Sequence, residues 1–401
     1  MQVPIEFGRE HLTLEIRPDR LVRLERADCP PPLADPVAAV RDALESPLHY
    51  PPLRQALTPD DHVTVVVDEH LPRLPELVTA VLEHIVAAGV DPASVTLLCP
   101  PTASKQPWIE DLPDAFQDVH LEVHDPADRK RLAYLASTKA GRRVYLNRSA
   151  VDADQLVLLT GPHFDPLHGY AGAEGALYPA LSDAEARARW DGSVTMDSPA
   201  EHAWPVRKEA GEVSWLLGAP FYVQVIEGAG DAVVQVLGGP ADTAAEGRRW
   251  LNRCWRATAA EPADLVMATI SGDPARQDFA DMAGALAAAV RVVRPDGVIA
   301  LLCAAAPELG DGFRQMLKAD EPIDATRALR EVPPPDWPAA FQWLEAVRKA
   351  HVYLLSGLPA EMAEGLFTTP IDHARQVQRL IDAGGTCLVL ADAHKLMAVT
   401  Q

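Results

Sequence analysis

The chain lacks the long apolar stretches and the export signal that would place it in or across a membrane. No apolar run reaches the roughly 18 residues that a membrane-spanning helix needs. The first 20 residues carry charges throughout, without a basic segment followed by an apolar one. We therefore expect a cytoplasmic protein that has no membrane partner.

Cysteine is scarce, and its spacing does not fit the common zinc motifs. The five cysteines lie far apart, and no two form a CxxC pair. Most of them occur inside apolar runs, such as Leu301-Leu302-Cys303. The sequence therefore predicts reduced thiols in the protein core at these positions: Cys29, Cys99, Cys254, Cys303 and Cys387.

Basic residues are also fewer than acidic ones. There are 36 lysines and arginines against 57 aspartates and glutamates, which gives a formal net charge of -21. Such a negative field repels phosphate backbones, so we expect no nucleic-acid partner. The sequence has no GxGxxG, GxxxxGK[ST] or GxSxG motif, so nucleotide-phosphate and serine-hydrolase functions lose their usual support. The expected partner is a small-molecule ligand.

The apolar pattern of the first half is typical of a parallel sheet. Val63 to Val67 is an unbroken β-branched run that suits a strand buried on both faces. Apolar residues then recur at helical spacing from Leu74 to Ile85, and a second strand begins at Val95. Strand, helix and strand in this order form a βαβ unit, whose two strands are parallel.

The remaining apolar runs predict a second domain of the same kind. We expect an α/β protein with two domains, each a mostly parallel sheet flanked by helices, and a cleft between them. The predicted boundaries are 1–240, a helical connection at 241–260, and 261–401. Predicted strands in the first domain are 119–123, 144–146, 156–159, 221–226 and 233–237, with a helix that starts at the capping-box pair Ser182 and Glu185 and runs to Trp190. In the rest of the chain they are 265–270, 298–303, 352–355 and 386–390, with helices at 243–256, 279–293 and 373–383.

Polar side chains follow three of these segments. Because ligands of such sheets bind beyond the carboxyl ends of the strands, we examine the loop 68–72, the loop 161–175 and the pair Glu201-His202. The second loop has two histidines, several carboxylates and four glycines, so its backbone could approach a ligand closely. An alternative interpretation is a divalent metal site, with these candidate ligands: His163, Asp165, His168 and His202.

These loops, in this order, resemble those of the nickel-dependent lactate racemase (LarA) family. The family has an Asp-His-Thr-Arg-Pro loop, a Gly-x-His-Arg-Pro loop and a glycine-rich His-x-x-Ala-Gly-x-Ser-Gly-Gly-x-Lys loop. Residues 168–175 keep the histidine, the Ala-Gly pair and one later glycine of the third loop. The resemblance extends over roughly residues 10–395.

The resemblance implies a particular chemistry and a set of site residues. Family members bind a nickel-pincer nucleotide through a lysine, and they invert 2-hydroxy acids with two histidines that exchange the hydroxyl proton. His168 matches one of these catalytic histidines. Trp337 and Asp281 match substrate-facing positions. Positions beside the cofactor are Asp68, His70, Pro72, Gly172 and Gly175.

Most other functional positions of the family are replaced. The second histidine falls near Ala103, and the tethering lysine near Leu177 or Tyr178. In place of the nickel histidine stands Asp191. The phosphate arginine falls at Leu71, with Arg73 two residues away, and the substrate lysine falls at Gly284. Without the lysine amine, a pincer nucleotide could be held only without a covalent bond.

Three interpretations stay open at this point. The first is a lactate-racemase-like scaffold without the covalent cofactor or the racemase activity, which binds a small ligand or a partner in the cleft. The second is a 2-hydroxy acid racemase or epimerase with a non-covalent pincer, in which His163 or His70 assists His168. The third is a metal-dependent enzyme built on the metal site described above.

Overall fold

The fold was analysed in a computed structural model that describes residues 1–101, 106–191, 205–218 and 220–401. In chain order, the strands are Gln2–Phe7 (β1), Glu10–Glu15 (β2), Leu24–Arg26 (β3), Val63–Val67 (β4), Val95–Cys99 (β5), His120–Val123 (β6), Leu132–Ser137 (β7), Arg143–Asn147 (β8), Gln155–Thr160 (β9), His163–Asp165 (β10), Gly169–Ala171 (β11), Phe221–Glu227 (β12), Val233–Gly239 (β13), Arg256–Ala259 (β14), Ala263–Ile270 (β15), Val293–Cys303 (β16), His351–Leu355 (β17), Thr369–Pro370 (β18), Cys387–Leu390 (β19) and Met397–Thr400 (β20).

The helices lie mainly between these strands. In chain order they are Pro36–Glu45 (α1), Leu74–Ala87 (α2), Arg148–Val151 (α3), Ala184–Asp191 (α4), Pro205–Leu216 (α5), Ala244–Trp255 (α6), Phe279–Val290 (α7), Asp311–Met316 (α8), Pro322–Glu331 (α9), Trp337–Lys349 (α10), Ala360–Gly365 (α11) and Ala374–Asp382 (α12). Among the described residues, no helix combines the length and apolarity that crossing a membrane requires.

The first sheet has the strand order β13-β12-β9-β4-β5-β6. Its pairs are parallel except for the β12–β13 hairpin. All residues of β4 and β9 are buried, because helices and loops cover both faces of the central strands. The predicted βαβ unit is confirmed, with β4, α2 and β5 in place.

The second sheet has the order β18-β17-β16-β15-β19, and its neighbouring strands are parallel. The alanine-rich helix α7 packs against β15 and β16, and most of its side chains are buried. Small side chains let the helix lie close to the sheet, while larger ones fill the outer layer under α10. The predicted α/β fold with two helix-flanked, mostly parallel sheets is confirmed.

Among the described residues four small sheets accompany the two large ones, and the sequence predicted none of their pairings: β1–β2, β7–β8, β10–β11 and β20-β14-β3. The hairpin β1–β2 packs its apolar face on the second sheet, and Gly8 N–H donates to the Ile270 carbonyl at 2.7 Å. Strands β3, β14 and β20 form a separate sheet whose members come from distant parts of the chain. The first residues of the chain thus pack with the second sheet, while the boundaries 1–240, 241–260 and 261–401 stay a prediction.

Two local predictions are corrected by the structure. The helix α4 is capped by Asp183, whose side chain accepts from Ala186 N at 2.7 Å, while Ser182 bonds to the Pro179 carbonyl instead. The prediction of five reduced cysteines was wrong for two of them, because Cys29 and Cys254 form a disulfide. Their 225-residue separation leaves no local signal of the pairing. The free thiols are buried at Cys99, Cys303 and Cys387.

Candidate functional site

A cavity of about 380 Å³ lies between the two sheets. It is bordered by the segments that follow strands β4, β9, β12 and β15, and by the start of helix α7. The residues 394 and 395, which precede the last strand, close it from another side. A volume of this size suits a small molecule, and its position beyond the strand ends is where α/β sheets bind ligands.

The lining of the cavity is strongly acidic. Among the described residues that line the cavity, the fixed cations are Arg276 and Lys395. The lining also contains three histidines: His70, His163 and His394. The carboxylates that line the same cavity are Asp68, Asp165, Glu227, Asp231, Asp273, Asp278 and Asp281. Carboxylates therefore exceed the fixed cations, and the cavity favours an uncharged or cationic ligand over an anion.

Both fixed cations are engaged within the protein. Lys395 Nζ lies 2.8 Å from Glu227 Oε2 and also donates to the carbonyls of Gly228 at 3.1 Å and Gly230 at 2.8 Å. Arg276 pairs with the carboxylate of Asp231. These contacts join the β12–β13 turn to the second sheet, so both cations hold the walls of the cavity together.

His70 projects into this acidic cavity. Its backbone is fixed, because its N–H donates to Asp68 Oδ1 at 3.1 Å and its carbonyl accepts from Arg276. Although the residue keeps an exposed surface, its place between the sheets lowers the pKa of its imidazole, but nearby carboxylates outweigh this effect and raise the pKa to about 9. The contributing groups are Asp278, Asp68, Asp281 and Glu227. His70 is therefore cationic at neutral pH.

His394 is the second histidine that faces this acidic wall. Its Nδ1 is buried and has no hydrogen-bond partner. Burial lowers the pKa of the ring, and the charge of Asp281 offsets this only in part. Asp281 Oδ2 accepts from the backbone N–H of Asp278 at 3.0 Å at the start of α7, and burial raises the pKa of its carboxyl group. His394 is therefore neutral at neutral pH.

Gly284 lies beside His394 in the wall of the cavity. A Cβ atom at this position would lie 3.7 Å from the backbone oxygen of His394 and 3.8 Å from its Cα. The lysine that the family resemblance places here is absent, and the segment that carries His394 packs on the vacated helix surface. His394 was missed by the sequence analysis, because it lies far along the chain and belongs to no motif.

His168 is placed differently from what the resemblance predicts. It is not among the residues that line the cavity. Its Nδ1 lies 2.9 Å from Asp165 Oδ2, and its Nε2 lies 3.2 Å from the carbonyl oxygen of Trp190. Arg207 Nη2 donates to the same Asp165 oxygen at 3.3 Å. Both ring nitrogens of His168 thus have internal partners, and the ring stabilises the glycine-rich loop.

This arrangement predicts a pH-dependent contribution of His168 to stability. Burial disfavours the cation, but the hydrogen bond and charge of Asp165 outweigh it and raise the pKa above the ordinary 6.5. A raised folded-state pKa stabilises the protein fully below the unfolded value, and this stabilisation is lost as the pH rises through the folded value. In urea unfolding, His168→Gln should therefore lose more stability at pH 6 than at pH 9. The exposed His62→Gln serves as the control, and a loss that grows with pH would contradict the prediction.

The segment after the glycine-rich loop does not fit a lysine-tethered nucleotide. Leu177 and Tyr178 occupy the tether position, and both are fully buried in an apolar cluster under the first sheet. Tyr178 OH donates to Glu209 Oε1 at 2.5 Å, and Arg189 and Arg142 pair with the same carboxylate. The residues present at the tether position therefore offer no amine and no open surface for the cofactor.

The positions expected beside the cofactor phosphate and the nickel fit no better. Leu71 is a core residue, and Arg73 is paired with Glu76 on the surface. Asp191 stands in place of the nickel histidine, and its carbonyl accepts from Trp337 Nε1 at 3.1 Å.

The remaining predicted site residues divide into two groups. Asp68, His70 and Asp281 line the cavity. The others do not: Trp337 is buried, Pro72, Gly172 and Gly175 are absent from the lining, and the carboxylate of Glu174 lies over Gly172.

The metal site is not assembled in the part of the chain that the structure describes. There, no three His, Cys, Asp or Glu side chains converge as metal ligands, so His163, Asp165 and His168 do not form such a group. Strands β10 and β11 form a hairpin, and His168 in its turn bonds to Asp165, while His163 is exposed at the cavity. His202 and Ala103 lie outside the described residues.

Comparisons with known proteins agree with the resemblance seen in the loops. Residues 7–200 match the lactate racemase N-terminal domain. The lactate racemase of Thermoanaerobacterium thermosaccharolyticum is 19% identical over 366 residues, which cover 86% of this chain and 85% of that protein. The apoprotein structure of lactate racemase from the same organism superposes with a TM-score of 0.80 at 17% identity, covering 99% of this chain and 100% of that one.

A second solved structure, of a protein from Thermotoga maritima, has a TM-score of 0.64 at 12% identity and covers 91% of this chain and 98% of its own. The fold is thus shared over nearly the whole length. The chain is a divergent LarA-like protein, with a lactate racemase N-terminal domain on the lactate racemase fold.

Proposed function

We propose that this protein binds a small molecule in the cleft between its two sheets and does not carry the lysine-tethered nickel-pincer nucleotide. The proposal rests on the residues found where the family resemblance places the tethering lysine. Leu177 and Tyr178 are buried in an apolar cluster, whereas the neighbouring cavity of about 380 Å³ stays open. The scaffold would thus keep its cleft and lose its cofactor attachment.

The lining of the cleft argues against a 2-hydroxy acid as the ligand. Arginine and lysine are the usual partners of a carboxylate, and the protonated His70 of this cleft is already surrounded by carboxylates of the protein. Arg276 and Lys395 are already paired with Asp231 and Glu227. An anion in this cavity would also meet the surplus of carboxylates over fixed cations in the lining, which disfavours the racemase and epimerase alternative.

The hydrogen bonds of His168 also argue against the racemase and epimerase alternative. A histidine that exchanges a proton with a ligand needs one nitrogen directed at the ligand. His168 instead bonds to Asp165 and to the carbonyl of Trp190. Racemisation through this residue would require the glycine-rich loop to rearrange.

Intact-mass measurement tests the proposal directly. The protein would be produced in cells that also make the pincer nucleotide, beside a lactate racemase that has the tethering lysine. We expect the lactate racemase to gain the mass of the nucleotide and this chain to keep the mass of its sequence. A covalent nucleotide on this chain would refute the proposal.

A further inference from the structure

The structure assigns an acid–base pair to the cleft, formed by His70 from the first sheet and His394 from the C-terminal segment, for proton transfer on a small uncharged hydroxy-carbonyl compound. The inference rests on the proposed function, because it needs a cleft that is open to a free ligand. Neither histidine matches a catalytic position of the family resemblance.

The two rings are brought together by the folding of distant segments. His70 follows strand β4, and His394 precedes strand β20. Both line the cavity, and both lie close enough to Asp281 for its charge to act on them. Asp281 is held at the start of α7 by a reciprocal cap with Asp278. The charge of Asp281 therefore acts on both imidazoles.

His394 carries the second, independent sign of a ligand. A buried ring nitrogen without a partner costs free energy that the protein would ordinarily avoid. Here the unpartnered Nδ1 belongs to a side chain that lines the cavity. Such an unpaired buried group calls for an explanation, of which a catalytic role is one, and because Nδ1 itself is closed off, the ring would meet a ligand through Nε2.

The protonation states of the two histidines differ in the way an acid–base pair requires. The carboxylates around His70 keep it protonated, whereas burial keeps His394 neutral. When the surroundings shift the pKa values of two titratable groups in opposite directions, the group with the raised pKa is the acid and the other is the base. His70 is thus the proton donor, and His394 is the proton acceptor.

The lining selects the ligand class. The surplus carboxylates repel anions, and carboxylates accept hydrogen bonds from hydroxyl groups. Asp278 and Asp281, at the N-terminus of α7, can accept such bonds from a ligand. Proton transfer on carbon needs an adjacent carbonyl group. His394 would remove the proton from the carbon beside the carbonyl, while His70 would protonate the carbonyl oxygen. The product is an enediol, and the reverse step returns a proton to carbon, so no oxidant or reductant is needed.

Deuterium exchange in D₂O tests this assignment with dihydroxyacetone and glycolaldehyde as probes. We expect the protein to replace their carbon-bound hydrogens, observed by proton NMR, at least about tenfold faster than the same concentration of imidazole. The variants His70→Gln and His394→Gln should each lower the protein-dependent rate by roughly 100-fold, the scale of general acid–base catalysis. His62→Gln, on the exposed surface, should keep the rate of the unaltered protein.

The pH profile distinguishes an acid–base pair from a structural role. The groups acting on His70 are Asp278, Asp68, Asp281 and Glu227, and those acting on His394 are Asp281, Lys395, Asp392 and Glu227. Exchange should fall above about pH 9, as His70 loses its proton. Asp281→Asn should move this fall to lower pH, because it removes one of the charges that hold the proton on His70.

Three results would overturn the inference. They are exchange no faster than with imidazole, an unchanged rate in folded His394→Gln, and exchange at the α-carbon of L-lactate in place of the uncharged probes. Circular dichroism of each variant shows whether it is folded. If the intact mass shows no adduct and no exchange occurs, the acid–base inference fails while the proposed function stands. A covalent nucleotide would refute the proposed function itself.

Discussion

Replacing Asp165 by alanine should cost roughly 3–5 kcal/mol of unfolding free energy, because the variant removes the nearest counterion of buried Arg207 and the hydrogen-bond partner of buried His168. Asp165 Oδ2 is shared by His168 at 2.9 Å and Arg207 at 3.3 Å, and Oδ1 accepts from Leu167 N at 2.8 Å. The side chains of His168 and Arg207 are each only 14% exposed. Without the carboxylate, Arg207 would keep only the more remote charge of Glu174, and burial would drive the proton off His168. Urea unfolding at pH 7 measures the loss.

The matched control is Asp311→Ala. Asp311 pairs with Arg314 at 3.1 Å on an exposed helix surface, where an ion pair contributes about 0–1 kcal/mol. Asp165→Asn keeps one acceptor and should lose less than Asp165→Ala, so it serves if the alanine variant does not fold. The pKa of Asp165 is depressed by His168 and Arg207, despite burial. Its stabilisation is therefore present above the ordinary value of 3.8 and is lost as the pH falls. A loss below about 1 kcal/mol at pH 7 would contradict this account.

The double substitution Arg142→Ala and Arg189→Ala should be the second most damaging, at about 3 kcal/mol. Both arginines pair with Glu209, whose side chain is 2% exposed beneath the first sheet. Their removal leaves a buried carboxylate with the hydroxyl of Tyr178 as its hydrogen-bond donor. The arginines themselves are 41% and 38% exposed, so the cost arises almost entirely on the glutamate side.

Each single arginine variant leaves one counterion in place, so we expect the two single losses to add up to less than the double loss. The double variant Arg314→Ala and Arg327→Ala, in exposed helical pairs, is the matched control. Chemical denaturation of all variants in parallel measures these differences. If the stability losses of the two single variants added up to the loss of the double variant, one remaining arginine would not be enough to compensate Glu209.

The predictable part of the fold is the part with strong local signals. Strand β4 is an unbroken buried β-branched run, and α2 repeats apolar residues at helical spacing, so both were placed correctly from sequence. The sheet β20-β14-β3 escaped prediction, because its strands are short and gain their stability from partners far along the chain. The disulfide between Cys29 and Cys254 escaped for the same reason.

The site was predictable only in part. The rule that ligands bind beyond strand ends correctly pointed to Asp68 and His70, which line the cavity. The resemblance put His168 at the centre of the chemistry, but a sequence does not show which partners a histidine ring will find in the folded state. His394 lies outside all motifs, and its role depends on the packing of its segment on Gly284.

The contacts of Lys395 and Asp392 determine when, during synthesis of the chain, the cleft can be completed. Asp392 accepts from Ser271 N at 2.8 Å and from Gly230 N at 3.0 Å, and Lys395 bonds to the same turn. The first sheet can form while the ribosome is still translating the second half. The cleft acquires its last wall, and His394, only after residue 395 has left the exit tunnel. A nascent chain can therefore hold a folded first sheet without a ligand site, so binding becomes available only once residue 395 has emerged.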